Sequence, residues 1–519
     1  MRITQHDRLQ VELNCSYPKG DTASEDLSAR VEIWLFLPHA VGVDENDYSR
    51  EDFYQDLRAY TRLSTPKLTL EALSDPQNPH SPLHQLDAYA AALGSSKPKK
   101  ATRKAIRREC RLLGSIFRQA TRTPLDTLRA TIQDLDAKGT SENAQVFAKQ
   151  IRAILKNYRR LAEQYKDRPL GKRTSRCLGF TDEYLSLQAE EGLCAAIAEL
   201  DTALTKDDEH DSVSFKISLT QGRKALVKLV QNEQAYRAER GWRTALGPEK
   251  EELSDANYID QSGLLKKYIA SALFLRLEHS RKQAWAEHAA LGIAAALAMV
   301  WAVGVQLAAF FLLGLELDQS MSAGLMGAFA VIAVAAYILK DRIKASVASA
   351  LKKKLPNWLP DRTQEISYPE SDTAFGSISE RMEFIDQELV PPEVLETRLA
   401  TARSHLVAES QPDILYYQRD IQISTRAARA EFPRFEGVKD VLRLNVWRWL
   451  RTLASHRKHM MWLDTEGELQ PRKLPHQYVV DLLIQYTLSS GDNDPKSVIG
   501  KARIWMDRRG LLRVQLVDG

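Results

Sequence analysis

Two apolar stretches, residues 289–315 and 319–339, set almost back to back, constrain this chain more than any other feature. Beyond the Glu316 and Asp318 that part them, each runs without a charged side chain. That is roughly the 20 residues a helix rising about 1.5 Å per residue needs to cross a hydrocarbon core about 30 Å thick. Leu291, Ile293, Leu297, Val300, Val303, Leu307 and Phe311 leave the first stretch without a polar face, whereas a surface helix of a globular protein needs one. The reading is a transmembrane hairpin, with helices at 289–315 and 321–339 and a short extracytoplasmic loop at 316–320.

Cations flank the pair on its outer sides only: Lys266, Lys267, Arg276, Arg281 and Lys282 before it, and Lys340, Arg342, Lys344 and Lys352 after it. Positive residues stay on the cytoplasmic side. The expectation is therefore a multi-pass protein of the cytoplasmic (inner) membrane with both termini cytoplasmic. The first residues lack the apolar core of a signal peptide, so the first apolar helix is expected to act as the insertion signal. Small residues at four-residue spacing nominate Gly292, Ala296, Gly324 and Gly327 for close interhelical packing, with Gln306 as a polar contact between helices.

With 519 residues, the remainder is long enough for two or three further domains. The fold class expected is α+β, predominantly α. A small α+β element spans 1–95, a helical region 96–260 and a juxtamembrane helix 261–288. After the hairpin, a helix and linker span 340–372, and an α+β domain spans 373–519. Leu9, Val11, Leu13 and Cys15, and then Val31, Ile33, Leu35 and Leu37, alternate as in strands. Ser49 and Asp52, Ser81 with Pro82, and Ser377 with Glu380 read as helix starts. The pattern is helical from Ala101 to about Leu204. Strands return at 414–423, 460–463, 477–488, 502–506 and 511–516, with Gly510 closing a hairpin turn.

The net charge of +4 conceals a basic block, 97–176, followed by an acidic one, 182–260. Lys100, Arg103, Lys104, Arg107, Arg108 and Arg111 form adjacent cationic stripes at helical spacing. They are candidates for contact with anionic lipid head groups, with an acidic partner or with the acidic block of the same chain. Nucleic acid is less favoured, because Phe117 is the one aromatic interleaved between 97 and 122. The four cysteines, Cys15, Cys110, Cys177 and Cys194, are scattered without metal-ligand spacing.

Phosphate-loop, dinucleotide, nucleophile-elbow and HExxH patterns are absent from the sequence. His456, His459, Asp464 and His476 are the nearest approach to a metal set, but they sit among cations that oppose one. Trp447, Trp449, Trp462 and Trp505 gather near the carboxy terminus as core residues or as a binding groove. No catalytic, cofactor-binding or metal residue is assigned. The expected function is a membrane-anchored scaffold or sensor acting through a protein partner or self-association. An oligomeric membrane effector and a tethered enzyme with an unrecognised site are the alternatives.

Overall fold

The strand Val31 to Leu37 announces in sequence lies at the centre of the molecule's largest sheet. The computed structural model describes residues 1–18, 26–93, 99–134, 136–205, 213–242, 252–279, 282–312, 323–358, 360–369, 371, 373–400, 411–463, 465–490 and 495–517. In chain order the first elements are β1 (Arg2–Gln5), β2 (Gln10–Pro18), β3 (Leu27–Leu37), α1 (Arg50–Asp56) and β4 (Leu57–Leu63). Helices follow: α2 (Leu70–Ser74), α3 (Pro82–Ala92), α4 (Lys100–Ala120), α5 (Arg122–Gln133), α6 (Ala137–Lys166), α7 (Lys172–Thr205), α8 (Val213–Glu239) and α9 (Glu252–Ala270). Next come β5 (Arg276–His279), α10 (Lys282–Leu312), α11 (Ala323–Trp358), β6 (Arg362–Ser367), β7 (Ala374–Ile385), α12 (Pro392–Ala400), β8 (Asp413–Ile423) and α13 (Thr425–Glu431). The chain closes with β9 (Gly437–Asn445), α14 (Trp447–Thr452), β10 (Arg457–Leu463), β11 (Leu469–Pro475), β12 (Tyr478–Ser490), β13 (Lys496–Asp507) and β14 (Gly510–Val517).

These elements form two units, one of residues 1–61, 275–431 and 439–519, the other of residues 62–274 and 432–438. In the first, an eight-stranded sheet runs in the order β14-β13-β12-β3-β8-β7-β6-β5, with every neighbouring pair antiparallel. A four-stranded sheet has the order β1-β2-β9-β4. Strand period two puts Val31, Ile33 and Leu35 on one face of the large sheet, in register with Arg419, Tyr417 and Leu415 of β8. On that face Arg419 is fully buried and reaches Asp440 of the small sheet through two nitrogens, at 2.6 and 3.1 Å. It also pairs with Glu380 of β7, which accepts from the Tyr417 hydroxyl at 2.6 Å. Burial alone would lower the Arg419 guanidinium, but Asp440, Tyr417 and Glu380 outweigh it and raise it above its usual value.

The opposite face of the large sheet changes character along its length. At one end Trp34, Phe36, Ile414 and Leu483 make an apolar cluster with Val390 and Val394. At the other, Ser28, Arg30, Ser377, Ser379, Asp420 and Thr487 line an open polar groove of about 330 Å³.

The second unit is helical. α4 buries Ile106, Cys110, Leu113 and Phe117 along one stripe, the i, i+3, i+4 pattern of an amphipathic helix. Gly114 allows close approach, because a Cβ there would lie 2.8 Å from Ile269 and 3.0 Å from Tyr184. Arg159 of α6 ties the bundle together, bonding Glu233 of α8 at 2.6 and 3.0 Å and Asp182 of α7 at 3.2 Å.

Several expectations are corrected. The chain is mixed α/β, 54% helix and 28% strand, with large sheets. Among the described residues no helix is long and apolar enough to cross a membrane, which overturns the transmembrane hairpin and the multi-pass inner-membrane placement. Along α10, Ala294, Ala298 and Ala302 are buried while Ile293, Leu297, Val300 and Val303 face outward. The proposed loop, 316–320, lies outside the described residues. The segment before α10 is also not one long helix, since α9 ends at Ala270 and β5 follows. Ser377 and Glu380 open no helix either. They lie in β7, where Glu380 serves Arg419. The Ser49 and Asp52 capping box does form, but its helix ends at Asp56 and the chain turns into β4.

Candidate functional site

The cationic stripes of α4 are turned largely towards their own unit. Arg107 donates to Thr174 at 3.2 Å, Arg111 donates to Ser271 at 3.0 Å, and Arg108 lies 3.6 Å from Glu109. Arg103 and Lys104 are half-buried and Lys100 is exposed. The basic and acidic blocks do meet, but through other residues: Arg159 on Asp182 and Glu233, and Arg129 on Glu199 at 2.7 Å. Of the residues nominated for helix packing, Gly292, Ala296, Gln306, Gly324 and Gly327 face outward, and a Cβ at any of these glycines would meet nothing within 4 Å. The buried small residues are Ala294, Ala298 and Ala302 of α10 and Ala336 of α11.

A different element stands out by exposure. Among the described residues β10 and β11 pair only with each other, as a two-stranded ribbon apart from both larger sheets. Every residue of β10 is exposed, and all of β11 except Leu474. The ribbon is inserted between α14 and β12, and its base is closed by the His476 amide on the His456 carbonyl at 2.9 Å. Trp449 and Leu450 on α14 and Tyr478 on β12 are buried, so the base is firmly rooted. Gly467, with φ +82°, makes the far turn, where a side-chain-bearing residue would be strained.

Register sorts the arm's side chains. Opposite residues of an antiparallel pair share a face, so one face carries Arg457, His459 and Lys473 near the base and Met461, Leu463, Pro471 and Leu469 towards the tip. The other carries Lys458 and Arg472 with Met460, then Trp462. The arm thus has a cationic stem and an apolar band of Met461, Trp462, Leu463 and Leu469 beyond it, and its far turn carries Glu466 and Glu468. Trp462 is 58% exposed and Leu469 63%, although such side chains normally supply core. At a strand rise of about 3.3 Å per residue, seven residues extend about 23 Å.

A cavity of about 820 Å³ opens elsewhere in the same unit, beside the apolar cluster beneath Trp34. Its walls are Phe384, Ile385, Leu389, Leu395 and Ile414, and its rim carries Glu45, Asp386, Glu388 and Asp413. His39 Nδ1 lies 2.8 Å from Asp413 Oδ2 at the mouth. That pair can exchange protons, but the described lining holds no hydroxyl, thiol or amine to act as a nucleophile beside it. Leu389 is 69% exposed there. Among the described residues no group of three or more His, Cys, Asp or Glu converges as a metal site. Asp464 lies outside those residues, and the His476 ring stacks on Tyr478 at 4.7 Å.

Sequence reasoning identified a strand at 460–463 and the tryptophan cluster, but not the arm. Its second strand was legible in one respect: Pro471 and Pro475 lack the N–H that an interior strand must donate. Of the four tryptophans, Trp449 is core and Trp505 stacks under Arg513 at 4.4 Å, while Trp447 and Trp462 are exposed. No family model matches the chain, and it matches no curated protein or solved structure.

Proposed function

We propose that this protein is a non-catalytic docking scaffold, which holds protein partners through the arm formed by β10 and β11. The single observation that carries this reading is a two-stranded ribbon with apolar side chains presented to solvent on both faces of its outer half. Isolated two-stranded ribbons are marginal in water. Exposing Met461, Trp462, Leu463 and Leu469 adds nothing to the stability of this chain, and a contiguous apolar patch of this kind marks an interaction site. Burying those four side chains in a partner is worth about 1.5–3 kcal/mol each, set against an association cost of about 4–15 kcal/mol. The tip alone therefore gives at most modest affinity. The cations of the stem favour an acidic surface beside the apolar pocket and speed encounter with it.

The test is quantitative co-purification of the full-length chain from its own cells, alongside a differently tagged second copy. The comparison is with the double variant Met461→Ser, Trp462→Ser. The expected result is a defined set of partners, reduced at least tenfold in the variant, whose thermal stability matches the parent. An unchanged set would contradict the reading.

A further inference from the structure

We infer that Cys110 and Cys177 form a redox modification site in the helical unit, a buried thiol pair that a small hydroperoxide converts to a reversible disulfide joining α4 to α7. The two are distant in sequence, and the packing of the helices brings them together. Arg107 of α4 donates to the Thr174 hydroxyl of α7 at 3.2 Å, and the Cys177 thiol donates to the Arg107 carbonyl at 3.7 Å. Further along both helices, a Cβ on Gly114 would lie 3.0 Å from the Tyr184 ring, so α4 and α7 run side by side in the same direction. A helical side chain leans back over the turn before its own Cα. Cys110 therefore covers the Arg107 carbonyl, where the Cys177 thiol is held. The two thiols are hydrogen-bond partners there, and both are fully buried. A disulfide needs Cα atoms within about 7 Å, and the bare backbone at Gly114, one turn beyond Cys110, lets Tyr184 hold the helices close.

Their surroundings divide the roles. The hydrogen bond from Cys110, aided by the Tyr268 hydroxyl, the Arg111 guanidinium and Thr181, lowers the Cys177 thiol against the opposing effect of burial. That same hydrogen bond, with burial, raises Cys110. The thiolate is the nucleophile, so Cys177 attacks and Cys110 keeps its proton until it resolves. Access is one side chain deep. Tyr268 of α9, the bonding partner of Cys177, is half-buried. It packs edge-on against the exposed Phe180 at 5.5 Å, with Arg111 5.9 Å from its ring.

The Cys177 thiolate attacks one oxygen of the hydroperoxide. An S–O bond forms, the O–O bond breaks, and the departing oxygen takes up a proton as water or alcohol. The sulfur is oxidised by two electrons to a sulfenic acid. The Cys110 sulfur then attacks that of Cys177, so that the S–S bond forms, the S–O bond breaks and hydroxide leaves with the Cys110 proton as water. Two thiols and one hydroperoxide thus give one disulfide, one alcohol or water, and one further water.

The other two cysteines are internal controls. Cys194 is exposed, with its thiol raised by partial burial and by Glu190. Cys15 is buried, and burial together with Asp440 pushes it up to about 12. The reduced full-length chain is treated with stoichiometric hydrogen peroxide and quenched with an alkylating agent, and its cysteine peptides are followed by mass. The expected result is a linked pair of peptides holding Cys110 and Cys177, two hydrogens lighter than the separate thiols. It forms at least tenfold faster than Cys194 or Cys15 is lost, and a dithiol reductant reverses it. In Cys110→Ser the attack stops at Cys177, which a cyclic 1,3-diketone that traps sulfenic acids then labels. Oxidation led by Cys194 would show that exposure alone governs reactivity, and equal loss of Cys15 would show that the reaction passes through the unfolded chain. Either overturns the inference, as would a parent in which both Cys110 and Cys177 persist as thiols. The rates in the parent decide the outcome even where the serine variant fails to fold.

Discussion

Arg419 lies between Asp440 and Glu380 without access to water, so its charge is needed to hold two other charges in place. Replacing one partner of a buried ionic set strands the rest and costs about 3–5 kcal/mol. Arg419→Met should lower the unfolding free energy by about that amount in chemical denaturation, and the triple change with Asp440→Leu and Glu380→Leu should recover most of it. A loss below 1 kcal/mol for the single variant would show the carboxylates to be solvated, on the scale of ordinary surface substitutions at about 0.5 kcal/mol. Lys501 gives the contrasting case. It is 3% exposed and donates to the Arg398 carbonyl at 2.8 Å. Burial, with Arg503 and Arg398 nearby and only Asp481 opposing, pushes its ammonium from 10.5 down to about 8. The unfolded chain therefore keeps a proton that the folded chain releases between those values, and stability rises with pH through that window. Below pH 8 the whole penalty is present. Denaturation midpoints from pH 7.5 to 10.5 should climb for the parent and climb less for Lys501→Met, and equal slopes would refute the assignment. None of these partnerships was legible in sequence. Arg419 sits 21 residues from Asp440 and 39 from Glu380, and no local pattern marks side chains that meet only through strand pairing or across two sheets.

Among elements, the arm is held by its own pairing and by its base, whereas β3, β8 and β12 are paired on both sides. Stability is distributed accordingly, and a solvated two-stranded ribbon opens locally at low cost. Hydrogen exchange on the dissociated chain should show amides of 457–463 and 469–475 exchanging at least a hundredfold faster than those of β3 and β8. Comparable protection would mean that the arm is packed within its own molecule. Sequence identified helices and caps well where local chemistry decides: Ser49 accepts from the Asp52 amide, and Ser81 caps a helix that opens with Pro82. It failed where tertiary pairing overrides local preference, as at Ser377 and Glu380. It also took the two apolar stretches at 289–315 and 319–339 for a spanning hairpin. In the fold Ile293, Leu297 and Val300 face outward, and of the alanines between them Ala294 and Ala298 are buried.

On the scale of the whole molecule, the order of strands explains why a linear division by sequence pattern is incomplete. β3 comes from the first forty residues and lies between β8 and β12, which come after residue 410. A strand contributed from so far away carries long loop-closure entropy, and its partners have unpaired edges until it arrives. The fragment 373–519, expressed alone, should therefore be insoluble or lack exchange-protected amides, and adding residues 1–61 and 275–372 should restore them. A well-folded isolated fragment would contradict that dependence. The proposed scaffold requires the arm to be an intermolecular element. Placing a photo-cross-linking amino acid at position 462 of the full chain in living cells, with position 217 as an exposed control, tests this most directly. Discrete protein adducts from 462, absent from 217, are the expected result. Adducts equally frequent from both positions, or none from 462, would contradict it.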